Sequence, residues 1–556
     1  MKTLTTLKLP IGSATERLVL TQQQVETLIR VYYDNAITTK EVSGYVHKDT
    51  ITYREYHLLT ALGLDVTYDE LINDQWSMAA SPVRVRDGQQ STVTVEGLPI
   101  EEVSLSLTGC TVELGSLTET QALALATLTG NTLAFDVGNY DGNAVVRYTI
   151  EGTPVYGGAT KTVVIEAVHV VSIHSVYINR ADGVVNLESE GSKELIDDYI
   201  HRCKCYLFSG SGGMKAEIKS ATFVGDYSGM TSGTVILADD TQVAIQTLNT
   251  KGVNWMVLRP EMHILSSDHA ATHTGEVLKN TGIYDVFGDS GGKVFPKKYI
   301  GMFKGFLQGD VLKSQPNRIP TGANTIANFF AKASAGGRGY GLWNYSDWCR
   351  ENALHLSWYD CTNYERNVGI GRINNYNAVR NIVTGFTLPL VGMYDSGAVP
   401  TVDSQGNTVN CLNFFGIEGL GEQIWEFVIG FRHDGTTAYV WDENVWSETQ
   451  EGRTFPLGAK QNGYIKEVIG GEHFDMMPRS VGGIASSSTG YCDQHWYAAN
   501  GRLLLVGGDA NSGSGCGLSA SSADDAFSYS HAHTGARLAF YGEPETVSGS
   551  EFVAKI

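Results

Sequence analysis

The sequence predicts a multidomain, mainly-β chain. It has a small N-terminal α-containing module, Ig-like β-sandwich spacer segments and a loop-rich α+β C-terminal domain. Three observations lead there. Gly is abundant at 63 residues and Pro scarce at 13, in a background of Thr, Val, Ser and Tyr that favours short strands and tight turns. From Ser81 onward, apolar and polar residues alternate in short runs, the period of half-buried strands. All nine tryptophans except Trp76 lie at or after Trp255, where regular periods fade and loops pinned by aromatic packing are expected. The length of 556 residues suits about three or four domains.

Taken in order, residues 1–80 form the helix-leaning part. Val25, Leu28, Ile29 and Tyr32 fall at helical spacing behind Thr21 as N-cap, and a second helix is expected over 52–62, ending at Gly63. This module would serve attachment. Residues 81–171 alternate through Pro82–Arg86, Ser91–Glu96, Val103–Leu107, Val145–Ile150 and Thr162–Val168, the pattern of an Ig-like sandwich acting as a spacer. Residues 172–254 continue with strands at Cys203–Phe208, Ala221–Val224 and Gly233–Ala238, a second spacer or an oligomerisation domain. Ser209–Gly213 lacks the Gly-Lys-Ser/Thr ending of a phosphate loop and is read as a turn. Residues 255–556 form the large C-terminal domain.

The formal net charge is −20, which supplies no basic field for nucleic acid. The N-terminus lacks the apolar core of a secretory signal. No window reaches the roughly 18 apolar residues of a membrane span, so no membrane insertion is expected. The eight cysteines are scattered without a CxxC pair. Cys203 and Cys205 would point the same way on a strand but lack a second pair, so reduced thiols are expected rather than a zinc site.

Three short signals carry little. His263, His269 and His273 lack the His-Glu-x-x-His helix of a zinc enzyme. Gly288–Gly292 (GDSGG) resembles the nucleophile segment of trypsin-like proteases without the His and Asp segments that must precede it. No carboxylate dyad can be picked out for glycoside cleavage. No catalytic residue is assigned, and no enzyme activity is expected.

The closing stretch from Gly501 to Phe540 has a different texture. Leu503–Val506 and Ala536–Phe540 read as short buried strands. Between them lie almost only small and polar residues, with Phe527, Tyr529, His531 and His533. Such a segment cannot build a core of its own. It is either an ordinary Gly/Ser loop or a displayed face, and its Ser, Gly, Asn and Tyr are residues that binding loops favour.

An ordered series precedes it: Tyr299–Phe303, Pro320–Ile326, Ala331–Gly341, Trp343–Tyr345, Tyr359–Gly371 and Phe415–Val428. It ends in Gly507-Gly508 and Thr534–Ala539. This series resembles the C-type-lectin-like domain of the formylglycine-generating-enzyme type, in the version carried by phage receptor-binding and tail-fibre proteins and by the variable proteins of diversity-generating retroelements. The segment Gly416-Ile417-Glu418 through Trp425-Glu426-Phe427-Val428 resembles that family's signature, and the closing Gly-Gly and Gly-Ala-Arg resemble its last segment. Trp425 and Phe427 would pin loops by burial, and Glu418 and Glu426 would hydrogen-bond loop backbone.

The resemblance implies a bacteriophage virion protein, made in the host cytoplasm and carried on a tail fibre, tail tip or head fibre. Its N-terminal module would join other virion proteins, its assembly would be a homotrimer, and its tip would bind a bacterial cell-surface protein or glycan. The segment between Gly508 and Gly535 would be the diversified, ligand-facing one. Carried over by position, this nominates Asp509, Asn511, Ser512, Ser514, Ser519, Ser521, Ser522, Asp524, Asp525, Phe527, Tyr529 and His531, with Tyr491 and Trp496 at the rim. The enzyme branch binds copper through paired cysteines, and here only Cys516 occupies the matching segment, so no cofactor is expected. The acidic loops leave room for a structural Ca²⁺ without selecting ligands. The alternatives are a structural head-fibre or decoration protein without a host ligand, and a copper-dependent oxidase of the formylglycine-generating type.

Overall fold

A computed structural model describes residues 7–8, 17–18, 76–98, 100–154, 160–169, 174–179, 186–267, 277–284, 293–482 and 491–556. The helices expected at 21–32 and 52–62, His269, His273 and the 288–292 segment lie outside the described residues. The protein is mainly β, with 42% strand against 16% helix. It divides into two compact units, 1–171 and 172–556.

The first unit is built on two four-stranded sheets that share one core. One sheet runs Arg84–Arg86, Lys161–His169, Ala144–Pro154, Val103–Leu114. The other runs Ser77–Ser81, Gln90–Glu96, Thr132–Phe135, Ala126–Thr129. The alternation read in the sequence is what makes this possible. Val85, Val93, Leu133, Phe135, Val146 and Tyr148 come from both sheets into the core, while their neighbours along each strand face outward. The first strand of these two sheets starts at Ser77, ahead of the expected boundary, and Trp76 packs with Leu98 and Val103. A short helix at Glu119–Ala124 was not expected. Its signal is Thr118-x-x-Gln121, which forms a capping box. Tyr148 donates its buried hydroxyl to the Ala122 carbonyl at 2.6 Å.

The second unit differs from the expected plan. One sheet runs Gln242–Ala244, Gly229–Leu237, Met214–Asp226, Cys205–Phe208, Asn254–Arg259, Lys298–Gly301, Leu538–Phe540, Tyr340–Leu342. The boundary expected at 254/255 therefore falls inside a strand of a continuous sheet. The ladder also joins chain ends far apart in sequence. Tyr299 pairs with Phe540, and Met214–Lys215 pairs in parallel with Glu545–Thr546. Cys205–Phe208 is buried along its whole length, as a strand covered on both faces must be. Cys203 lies not on that strand but at the C-cap of a helix, Glu194–Arg202. Ser209–Gly213 is the turn between Cys205–Phe208 and Met214–Asp226.

A helix at Tyr345–Tyr359 is buried on nearly every side, polar residues included. That is why no amphipathic period marks it in the sequence. Its start is legible in retrospect: Asn344 and Asp347 form a capping box. Its charges are matched inside the fold. Arg259 forms a two-pronged pair with Glu351, both fully buried, and Asp347 takes Lys298 and Arg350.

Candidate functional site

A seven-stranded sheet carries the closing stretch: Asp475–Val481, Gly463–Gly470, Gln494–Tyr497, Ser521–Ala523, Leu505–Val506, Trp425–Phe427, Thr534–Ala536. Trp425–Phe427 sits between Leu505–Val506 and Thr534–Ala536, so the signature-like segment lies between the two flanks of the closing stretch. Trp425 and Phe427 are buried as expected. Trp343 donates its ring N–H to the Phe427 carbonyl at 3.1 Å, and Trp348 donates to the Leu518 carbonyl at 2.6 Å. The tryptophans thus tie loop backbone as well as fill space.

The two glutamates divide the work. Glu418 accepts from the backbone N–H of Gly385 and Thr387 at 2.9 and 3.0 Å, the loop-holding role expected of it. Glu426 instead takes side chains: Arg537 at 2.7 and 2.9 Å, and Lys304. Arg537 spends its remaining donors on the carbonyls of Gly301, Met302 and Glu418. Burial is the largest influence on Glu426, yet the two cations outweigh it and hold its carboxyl below the usual range.

The structure separates the nominated face residues into three groups. Asn511, Ser514 and His531 are exposed, and Ser512, Asp524, Asp525, Phe527, Tyr529 and Trp496 are half-buried. Asp509, Ser519, Ser521, Ser522 and Tyr491 are buried, so they lie beneath any displayed surface. Ser521 and Ser522 belong to an inner strand of the sheet. Ser521 Oγ shares a hydrogen bond of 2.9 Å with His495 Nδ1, Ser522 Oγ donates to Asp524, and Ser519 Oγ donates to Asn352 at 2.6 Å. The sequence texture of small polar residues here marks close packing, not display.

One residue outside the nominated set joins the exposed turns. His533 Nδ1 lies 2.7 Å from Asp509 Oδ2, and its Nε2 lies 2.9 Å from the Tyr529 hydroxyl. Asp509 accepts from Nδ1–H, and the ring's other nitrogen shares a hydrogen bond with the Tyr529 hydroxyl. Asp509 also accepts from Asn511 N at 3.0 Å and Ser512 Oγ at 2.9 Å. A single buried carboxylate therefore holds the 509–512 turn and the 529–533 turn together. Burial pushes Asp509 up, but His533, Ser512 and Asn511 overcome this and hold it below the usual carboxylate range.

Aromatic rings line this crest. His531 and His533 stand 3.9 Å apart, and Tyr529 lies nearly parallel to His531 at 6.4 Å. Phe527 meets Trp446 edge-on at 5.6 Å, Trp496 meets Trp425 edge-on at 5.3 Å, and Tyr376 meets His533 at 6.1 Å. Beside them, burial and then the Asp524 carboxylate push Asp525 up to about 7. Burial pushes Tyr529 up to about 12. His533, Trp446 and Tyr376 are the contributors that sequence reasoning left out. The alternation His531-Ala532-His533 was the only local hint.

Cys516 is fully buried, and its thiol donates to the Asp509 carbonyl at 2.7 Å. Burial, then Asp509, push that thiol well above its ordinary value. His263 is buried and lies 2.9 Å from Glu261. Among the described residues, no group of three or more His, Cys, Asp or Glu stands at metal-binding spacing. No family model matches the chain, and no curated protein matches it.

Proposed function

We propose that this chain is a bacteriophage receptor-binding or fibre protein whose C-terminal, C-type-lectin-like domain binds a protein or glycan on the bacterial surface. In this reading the N-terminal module attaches to other virion proteins, the 81–171 segment is an Ig-like spacer, and the particle carries a trimer. A trimer would multiply a weak site affinity through effective concentration. The observation that carries the reading is the contrast within the closing stretch. Its frame is buried, while Asn511, Ser514, Asp524, Asp525, Phe527, Tyr529 and His531 stand at or near the surface, tied down by the Asp509–His533–Tyr529 chain. Rigid aromatic anchors beside adaptable polar groups are the usual make-up of a recognition surface.

The test uses the full chain, because residues 205–259 share a sheet with residues 538–540. Purified protein should bind host cells and block particle adsorption. Tyr529→Ala together with Trp446→Ala should weaken binding at least about tenfold, equivalent to roughly 1.4 kcal/mol. Absence of both cell binding and competition sinks the proposal. Particle images placing the protein on the capsid, with adsorption untouched, would favour a head-fibre or decoration role instead.

A further inference from the structure

A concavity lies in the 172–556 unit and draws on none of the crest residues. Its volume is about 330 Å³, within the range of small-molecule sites and equal to about ten waters at ~30 Å³ each. Buried Ile200, Ile218, Val391 and Phe415 line it, and Cys203 and Cys205 share that wall. Burial pushes Cys205 up to about 12, so that wall is uncharged at neutral pH. Lys204, Glu217, Lys219, Tyr394 and Asp395 complete the lining at partly or fully exposed positions.

The rim cations are already matched. Lys204 pairs with Glu217 at 3.0 Å, and Lys219 pairs with Asp240 at 2.6 Å. A charged ligand would have to compete with one of these pairs. A hydroxyl both donates and accepts, so it can bridge such a pair without breaking it. The walls offer ring faces as well. Tyr394 holds a left-handed backbone, φ 52°, and packs against the His201 ring at 4.7 Å with the two planes tilted by 36°. A non-glycine residue keeps that strained conformation only where its surroundings dictate it. Gly392, also left-handed, brings the 390–395 segment against the strand Met214–Asp226 so closely that a Cβ would stand 2.3 Å from the Lys219 carbonyl oxygen. The wall is therefore a fitted turn.

We propose that this cavity binds an uncharged polyhydroxylated ring of monosaccharide size, its C–H face against Phe415 and Tyr394 and its hydroxyls on the Lys204–Glu217 pair. The site stands apart from the proposed receptor face, so failure of one leaves the other intact. Saturation-transfer NMR on the full chain tests it, with glucose, galactose and N-acetylglucosamine against glucosamine and glucuronic acid. At least one uncharged sugar should give a saturable signal stronger than either charged one. Tyr394→Ala and Ala238→Trp, both at exposed positions, should weaken it about tenfold or more, while His531→Ala on the crest should not. No saturable uncharged sugar, preference for a charged one, or a signal that survives Ala238→Trp would each overturn the proposal.

Discussion

Arg537 is one of the buried cations that hold the C-terminal fold together. Its guanidinium is fully buried and holds Glu426 and three backbone carbonyls. Removing one partner of a buried pair strands the other, at roughly 3–5 kcal/mol. Arg537→Met should therefore lower the unfolding free energy by about that amount in chemical denaturation, and a loss below about 1 kcal/mol would contradict the assignment. Buried histidines set a pH limit of their own. Burial holds His355 at about 3, and His433 and His495 at about 4. All three are neutral in the fold but take up protons near the ordinary value of about 6.5 when the chain unfolds. Their contribution is therefore complete above pH ~6.5 and is lost as the pH falls toward 4. Melting temperature should drop across that window, and His495→Gln should flatten part of the drop. Asp525 works in the opposite sense. Its folded-state value is raised to about 7, so ionising it costs stability as the pH rises from ~4 to ~7. Asp525→Asn should raise the melting temperature at pH 8 and leave it nearly unchanged at pH 4.

At the scale of the element, the closing stretch supplies the strands Leu505–Val506, Ser521–Ala523, Thr534–Ala536 and Leu538–Phe540, with the 509–512 and 529–533 turns between them. Large side chains should be tolerated at Asn511, Ser514 and His531, which are exposed. At Ser519, Ser521 and Ser522, which are buried, a tyrosine would overpack the sheet and cost roughly 1–3 kcal/mol or more. Melting temperatures of single tyrosine variants at these six positions check the division. If Ser521→Tyr melts with the parent protein, the inner-strand placement is wrong. The Gly pair ahead of the turn has a local reason. Gly508 sits at φ 83°, and a Cβ there would stand 2.7 Å from Cys516 Sγ. Turn and close approach both require glycine.

At the scale of the molecule, the units 1–171 and 172–556 each have their own sheets and cores. Separate cores unfold as separate cooperative units. Differential scanning calorimetry should resolve two transitions, and Arg537→Met should shift only one. The residues 172–254 belong to the larger unit because Cys205–Phe208, Met214–Asp226 and Gly229–Leu237 are inner members of its sheet, so a truncation beginning at residue 255 would cut into the strand Asn254–Arg259 and strip its Cys205–Phe208 partner. Such a fragment should aggregate, measured by light scattering.

Local pattern by itself determined five of the eight strands in the first unit's two four-stranded sheets, and Ser77–Ser81, Ala126–Thr129 and Thr132–Phe135 carry no such signal. Val93, Val146, Tyr148 and Ile165 announce themselves because a two-residue period puts each on one face of a sheet. Short apolar runs mark the flanks of the closing stretch, and the burial of Trp425 and Phe427 is an expectation of the family resemblance rather than of a period. Three things were decided only by tertiary structure. The helix Tyr345–Tyr359 is enclosed by other elements, so no polar face survives to give it a period. Residues 172–254 joined the C-terminal part through pairings such as Met214 with Glu545, and nothing in either segment names a partner over 300 residues away. The family resemblance places serines 519, 521 and 522 on the ligand-facing segment. They are buried with their hydroxyls satisfied, Ser519 by Asn352, Ser521 by His495 and Ser522 by Asp524, and a hydroxyl that finds its hydrogen bond inside loses its reason to face water.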